Sequence, residues 1–191
     1  QGLVNEDPAK SIFYPRVGRK IPDLMSLQHV ESLFAQINLD DFKGVRDAAL
    51  IACLAGCGLR VSGLIGLNQG DLILGADDVG RQIAFLKVNE KGGHERLVPA
   101  PPETLLLIRA YLGHPELAAI DRTLSDGDQV LFVNTRNPMV KNFNNCGEHR
   151  RLSARSVRRM IMAYGAQAGI PPKFCHPHAL RHLYGTELVE S

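Results

Sequence analysis

Apolar side chains recur at helical spacing along most of the chain. The first such stripe follows Ser26, a residue type that favours the N-cap position of a helix. Its apolar members are Leu27, Val30, Leu33, Phe34 and Ile37. The same periodicity predicts further helices over 45–57, 63–67, 103–112, 153–168 and from about 178 onward. Ser62 and Ser153 are the expected N-caps of the helices at 63–67 and 153–168. Most of the chain is therefore predicted to be α-helical.

The periodicity changes to that of β-strands after Asp71. Residues 83–88 read as a strand, 89–93 (NEKGG) as a tight turn, and 94–98 as the return strand. Lys91 lies in the turn of this hairpin. The predicted fold class is therefore mainly α with a small antiparallel β-hairpin or sheet, an α+β arrangement.

The length of the chain allows one good hydrophobic core. Residues 1–25 contain Pro8, Pro15 and Pro22 without sustained periodicity, which predicts an extended arm or linker. Residues 26–191 are predicted to form a single domain. No stretch approaches the roughly 18 consecutive apolar residues of a membrane span, and the first ten residues lack a signal-peptide pattern. We therefore expect a cytoplasmic protein without membrane association.

Four cysteines are too few and too irregularly spaced for a disulfide framework in a chain of this length. Cys53 and Cys57 lie in the apolar run AALIACLAGCG, where small thiols are expected to pack in the core. Cys175 is near two histidines, but a fourth ligand at usable spacing is missing. The cysteines therefore predict neither disulfides nor a metal site.

Positive charge is concentrated in one segment, although the formal net charge of the chain is only +2. Residues 136–159 contain a single acid, Glu148, and seven basic residues: Arg136, Lys141, Arg150, Arg151, Arg155, Arg158 and Arg159. Taken alone, this pattern allows a solvated surface or a surface that binds nucleic-acid phosphates. On the predicted helix 153–168, arginines lie opposite the apolar positions, so they form a stripe.

The sequence HPHALRH places His178 and His182 on one face of a helix, with Arg181 between them. A zinc site of the H-E-x-x-H type is one interpretation, but Ala179 occupies the position of its general base, and cationic Arg181 disfavours a bound metal. The second interpretation is that His178 and Arg181 project together toward an anion. We favour the anion and predict no metal.

Three segments in order, GLRVSGLIGL, NEKGGHERLVP and HPHALRH, resemble the catalytic domain of the tyrosine recombinases, the phage-integrase and Xer family. They are similar to that family's G-L-R-x-S-E-L-x-x-L, G-K-G-x-K-E-R-x-V-P and H-x-L-R-H-T motifs. The opening DPAKSI is similar to the linker that leaves the family's N-terminal domain. The resemblance therefore covers essentially the whole chain.

The resemblance implies a role for each matched residue. Arg60 and Arg181 would neutralise the non-bridging oxygens of the cleaved phosphodiester through bidentate hydrogen bonds. Lys91 would protonate the departing 5′ oxygen, and His178 would assist proton transfer at the nucleophile. His182 matches a common histidine of the family and would support the residues that contact the phosphate; simple packing is the alternative interpretation. Neither a metal nor another cofactor is required, because the arginines neutralise the charge.

The family resemblance also implies partners. The basic helix would lie in the DNA major groove, with double-stranded DNA bound by Arg150, Arg151, Arg155, Arg158 and Arg159. The complete protein would break and rejoin DNA through a 3′-phosphotyrosyl link and assemble as a tetramer of protomers on paired sites. The chain as given is expected to be a monomer in solution.

Two positions depart from the family pattern, with Gly63 in place of an acid and His94 in place of a frequent lysine. The nucleophilic tyrosine is expected about 25 to 35 residues beyond Arg181, which is past the last residue given, so the sequence predicts a domain shown without its nucleophile. Tyr184 is interpreted as packing. A non-catalytic DNA-binding protein therefore stays an alternative, as does a type IB topoisomerase that relaxes DNA without site preference.

Overall fold

The computed structural model describes residues 24–89, 93–136, 141 and 144–190. In these ranges the helices are α1 (Leu27–Phe34), α2 (Phe42–Gly56), α3 (Val61–Gly66), α4 (Pro102–Leu112), α5 (Pro115–Ala118), α6 (Ala154–Gln167) and α7 (Pro177–Glu190). The strands are β1 (Leu72–Ala76), β2 (Gln82–Asn89) and β3 (Glu95–Ala100). The predicted fold class is confirmed. The predicted linker over 1–25 lies almost wholly outside the described residues.

Helix α2 forms the centre of the core, packing against α3, α4, α6 and α7. It begins at Phe42, three residues earlier than the apolar period predicts, because the Asp41 carboxylate accepts the backbone N–H of Gly44 and caps the helix. Cys53 and Cys57 are fully buried as free thiols, so their predicted core role is confirmed. None of the described helices is long and apolar enough to span a membrane.

The sheet is a meander in the order β1-β2-β3, and both pairings are antiparallel. The predicted hairpin corresponds to β2 and β3, whereas β1 was not predicted. In β2, Ala84, Leu86 and Val88 face the core at alternate positions. Strand β3 continues through Pro99, which an edge strand tolerates because the missing N–H need not pair there.

Helix α3 begins at Val61, and Arg60 rather than Ser62 occupies its N-cap position. The expected start of this helix at Gly63, with Ser62 as the cap, is therefore wrong. Gly63 is buried against β2: a Cβ added there would lie 2.6 Å from Cγ1 of Val88. Strand β2 therefore packs directly on the helix that follows Arg60.

Helix α6 starts after Ser153, whose hydroxyl accepts the backbone N–H of Ser156, as the sequence predicts. Its buried face contains Val157, Ile161 and Gly165. A Cβ at Gly165 would lie 2.2 Å from Sγ of Cys175, so the glycine lets the segment before α7 approach α6 closely. Helices α6 and α7 are thereby held side by side.

Candidate active site

Arg60 reaches the surface because the two residues before it fix the backbone. Gly58 follows the end of α2 with a φ of 58°, a left-handed conformation that residues with a Cβ adopt at a cost. Leu59 is fully buried and anchors the turn, and the next side chain, Arg60, is exposed. In the sequence GLR, the glycine therefore turns the chain, the leucine anchors the turn in the core, and the arginine points to the surface.

Helix α7 places the second group of predicted site residues on one face. Leu180 and Leu183 are buried against the core, and His178, Arg181 and His182 lie on the opposite side. The backbone N–H of Ala179 donates to Nδ1 of His176 at 3.1 Å, so His176 caps the first turn. His176 was not predicted; its position just before Pro177 at the helix start was the available signal.

Arg181 connects α7 to the turn that presents Arg60. Its Nη1 donates a hydrogen bond of 2.6 Å to the carbonyl oxygen of Gly58. The ring of Tyr184, one turn further along α7, lies where a Cβ of Gly58 would be, 2.3 Å from its Cδ1. Two contacts therefore hold the two predicted phosphate-binding arginines in one region, and Tyr184 packs as the sequence predicts.

His178 is exposed and lies among cations. Partial removal from water and the positive charges of His182, His176, Arg181 and Arg60 lower the pKa of His178 below its ordinary value. The rings of His178 and His182 meet edge to face, with their centroids 4.2 Å apart. A lowered pKa keeps His178 neutral near pH 7, the form that can accept a proton.

The described residues offer these two histidines no third His, Cys, Asp or Glu in a metal-ligating group. Ala179, which stands where a zinc hydrolase has its glutamate, is buried. The geometry of this helix face therefore fits anion binding better than metal binding.

His178 also borders a cleft between α6 and α7, which we name the α6–α7 cleft. Its volume is about 760 Å³. Its lining residues are Val61, Ala154, Arg155, Arg158, Arg159, His176, Pro177 and His178. The predicted catalytic histidine and three of the predicted DNA-binding arginines therefore share one open, positively charged depression.

Lys91 lies outside the described residues, so its assignment stays a prediction. The strands that lead to it are described, and Val88 near the end of β2 packs on Gly63 of α3. The hairpin therefore leaves the core beside the helix that Arg60 begins. Arg60, His178 and Arg181 are brought together by the fold, and the hairpin is anchored next to them.

Arg150 and Arg151 are turned toward the protein. Nη1 of Arg151 donates to the carbonyl oxygens of Ile65 and Leu67 at 2.9 and 3.1 Å, and Nη2 donates to Oδ1 of Asn68 at 2.8 Å. Its Nε also forms an ion pair with Glu148 at 2.7 Å. Because these groups occupy its guanidinium, we leave Arg151 out of the proposed DNA-binding surface.

Arg150 makes a weaker internal contact, in which its Nη1 donates to the carbonyl oxygen of Thr135 at 3.4 Å. Its Nε is buried. We therefore leave Arg150 out of the proposed surface as well. Arg155, Arg158 and Arg159 are exposed on α6, which is where the predicted stripe would place them.

Comparisons with known proteins agree with this fold. A model of the phage integrase family matches residues 24–191. The tyrosine recombinase XerC of Yersinia pestis is 31% identical over 191 residues, which is 100% of this chain and 54% of that protein. XerC of Chlamydia caviae is 28% identical over 99% of this chain and 53% of its own length. The chain thus spans about half the length of the curated relatives it matches.

Solved structures share the architecture. The XerH site-specific recombinase bound to its difH substrate in a pre-cleavage complex superposes with a TM-score of 0.67 at 17% identity, covering 97% of this chain and 49% of that one. The XerA recombinase gives a TM-score of 0.60 at 24% identity, over 93% of this chain and 52% of that one. These neighbours define the class of fold, that of the tyrosine-recombinase catalytic domain. With the family match over residues 24–191, the chain belongs to the phage integrase family.

Proposed function

We propose that this chain is the catalytic domain of a site-specific recombinase that cleaves and rejoins double-stranded DNA. The observation that supports it best is the hydrogen bond from Arg181 to Gly58, two residues before Arg60. This bond joins two distant family motifs, and His178, three residues before Arg181, lines the α6–α7 cleft. A domain that only bound DNA would need cations, but it would not need Arg60, Arg181 and His178 gathered in one region to act on a single phosphate.

The proposed chemistry follows from the charges. In-line attack on a phosphodiester increases negative charge on the non-bridging oxygens, and the two guanidinium groups of Arg60 and Arg181 would neutralise it. Neutral His178 would take the proton of the attacking hydroxyl, and Lys91 would give a proton to the leaving 5′ oxygen. His182, in ring contact with His178, would hold that ring in place.

The covalent intermediate of this proposal is a 3′-phosphotyrosyl link, which preserves the energy of the broken bond so that no ATP is needed. We assign the nucleophile to none of the three described tyrosines. Tyr184 packs on Gly58, Tyr111 is buried with a pKa raised to about 12, and the hydroxyl of Tyr164 donates to Asp47. Each of these three side chains therefore has a structural role in packing or hydrogen bonding.

DNA is the proposed partner, bound through Arg155, Arg158 and Arg159 on α6. In support, the XerH neighbour is bound to its difH substrate. The proposal includes the tetramer of protomers on paired sites for the complete protein and a monomer for the chain as given. A cytoplasmic location belongs to it too, because the enzyme must share a compartment with its DNA.

The test uses the polypeptide translated from its complete reading frame and a suicide duplex that contains the end of its own genetic element. A denaturing gel should show a covalent protein–DNA band. Arg181→Ala should weaken that band by about 100-fold or more, as losing a transition-state donor does. The matched control is Arg109→Ala on α4, an exposed arginine that borders neither the cleft nor the site. If Arg181→Ala cleaved as well as the control, the phosphate-binding assignment would be wrong.

The binding-only alternative has one structural observation in its favour. The space beside Gly63, where family members have an acid, is closed by Val88. Salt-dependent duplex binding by the complete polypeptide without any covalent band would favour this alternative. Relaxation of supercoiled DNA without site preference would favour a type IB topoisomerase.

A further inference from the structure

Helix α6 lies between two clefts. The α6–α7 cleft borders it on one flank, along Ala154, Arg155 and Arg158, and Arg159 lines both this cleft and the one described next. A second cleft of about 370 Å³ borders the other flank, and we name it the α2–α6 cleft. The residues of this second cleft that matter below are Lys43, Arg46, Asp47, Arg136, Arg159 and Tyr164. The helix therefore stands as a ridge with a depression on each side.

Besides Arg46, which forms an ion pair with Asp47, three cations border the α2–α6 cleft, and they come from three separate elements. Lys43 belongs to the first turn of α2, Arg136 follows the buried segment 130–133, and Arg159 extends from α6. All three side chains are exposed. Cations that converge from distant parts of the chain are more specific than a charge run on one helix, because the fold must bring them together.

The acid in this cleft is already neutralised. Asp47 is fully buried, and its Oδ1 lies 2.6 Å from Nη2 of Arg46. The hydroxyl of Tyr164 donates to its other oxygen at 3.1 Å. Arg46 and Asp47 cancel each other's charge, so among the described lining residues the cations Lys43, Arg136 and Arg159 determine the sign of the cleft. It therefore favours an anion.

We propose that the α2–α6 cleft binds a backbone phosphate of duplex DNA, on the strand across the major groove from the strand at the α6–α7 cleft. The inference rests on the proposed function, because it takes α6 to lie in that groove. A helix with its side chains is about 10–12 Å across and the major groove about 12 Å wide, so a seated helix has a phosphate backbone along each flank. Each cleft faces one backbone.

Lys43 and Arg136 are thereby assigned as DNA-binding residues that the motifs did not indicate. Neither belongs to the three family segments, and Lys43 lies far in sequence from the basic run. Their role is to position the duplex, since a cation that contacts a phosphate fixes orientation without reading bases. Contacts on both strands would stop the duplex from rolling about the axis of α6.

The test measures binding of this chain to a short fluorescein-labelled duplex by anisotropy over a series of salt concentrations. The slope of log K against log salt is negative, and each lost phosphate contact should reduce its magnitude by about one. Lys43→Ala and Arg136→Ala should each do so, and Arg109→Ala should leave the slope unchanged. Since all three side chains are exposed, thermal unfolding should show each variant to be folded.

A double variant separates the two flanks. If Lys43 and Arg155 contact different phosphates, Lys43→Ala with Arg155→Ala should lower the slope by the sum of the two single effects, about two in total. Slopes for Lys43→Ala and Arg136→Ala equal to that of Arg109→Ala would overturn the second site. If DNA binding through α6 were itself wrong, Arg155→Ala would also have no effect. If only the catalytic part of the proposed function were wrong, the salt slopes would change as expected and the covalent band would be missing, so these failures are distinguishable.

Discussion

Arg151 and Arg155 belong to the same basic segment, but their guanidinium groups lie in opposite environments. That of Arg151 is enclosed by Glu148, Asn68 and two backbone carbonyls, with only 16% of its side chain exposed. Arg155 is the second residue of α6, exposed and bordering the α6–α7 cleft. This difference shows that basic residues close together in the sequence need not all contribute to one positively charged surface.

The reason for the inward arginine lies in α3. The last carbonyls of a helix have no partner within it, and α3 ends at exposed Gly66, beside partly buried Ile65 and fully buried Leu67. Arg151 donates to the carbonyl oxygens of Ile65 and Leu67 at that end. It therefore supplies a donor to the carbonyl of Ile65 and a second donor to that of Leu67, which also accepts the backbone N–H of Leu131. Ser153 then starts the helix that turns the next arginines outward.

The largest effect is expected at Gly58, whose carbonyl oxygen accepts the hydrogen bond of Arg181. Arg181 resembles Arg151 in donating to a carbonyl, that of Gly58. Gly58→Ala would put a Cβ at a left-handed φ and within 2.3 Å of the Tyr184 ring. The strain and the overlap together should lower the free energy of unfolding by about 2–5 kcal/mol, measured by urea denaturation.

Gly80→Ala is the matched control for that variant. Gly80 also has a left-handed φ, 80°, but a Cβ there would meet nothing within 4 Å. It should cost only the backbone strain, about 1–2 kcal/mol. Equal losses for the two variants would show that Tyr184 does not fill the space at Gly58.

Arg151→Ala tests the inward half of the comparison directly. Because it leaves the carbonyl of Ile65 and the side chain of Asn68 without this donor and Glu148 without its partner, the free energy of unfolding should fall by roughly 1–3 kcal/mol. The salt slope of DNA binding by the remaining folded protein should not change. A lowered slope with normal stability would mean that Arg151 contacts DNA after all.

Arg155→Ala should give the opposite result. An exposed side chain on a helix contributes within about 0.5 kcal/mol to stability, so urea unfolding should hardly move. The slope of log K against log salt should fall by about one, because one phosphate contact is lost. Arg155→Lys, which keeps the charge, should retain most of the slope, and a loss as large as that of Arg155→Ala would point to base recognition instead.

The smallest expected effect concerns pH. The pKa of His178 is lowered in the folded chain, so below its ordinary value of about 6.5 the unfolded chain binds a proton more readily. Stability should therefore fall as the pH drops through that range and should be unaffected above it. His178→Gln should flatten this part of the curve of melting temperature against pH. Parallel curves for both proteins would contradict the lowered pKa.

Local periodicity was sufficient to predict most helices and the β2–β3 hairpin. Helix α6 was predicted together with its Ser153 cap, because apolar spacing and cap coincide there. Strand β1 was missed because four of its five residues are exposed, so no alternation marks it. Its pairing with β2 depends on tertiary structure, which the local sequence pattern does not reveal.

The candidate site divides in the same way. Arg60, His178 and Arg181 were predicted from motifs, and the fold places them together, while their catalytic roles stay predictions. Patterns of charge could not separate Arg151 from Arg155, since the carbonyls that hold Arg151 belong to a helix far away in the sequence. The convergence of Lys43 with Arg136 was invisible for the same reason.

The contact between Gly63 and Val88 has an evolutionary consequence. An acidic side chain at position 63 needs the space that a stiff, fully buried valine on β2 fills. A single substitution that introduced an acid at position 63 would therefore overlap Val88 and destabilise the packing of β2 on α3. We therefore expect positions 63 and 88 to change together, with a smaller residue at position 88 arising first. Without that change, the packing of β2 on α3 keeps glycine at position 63.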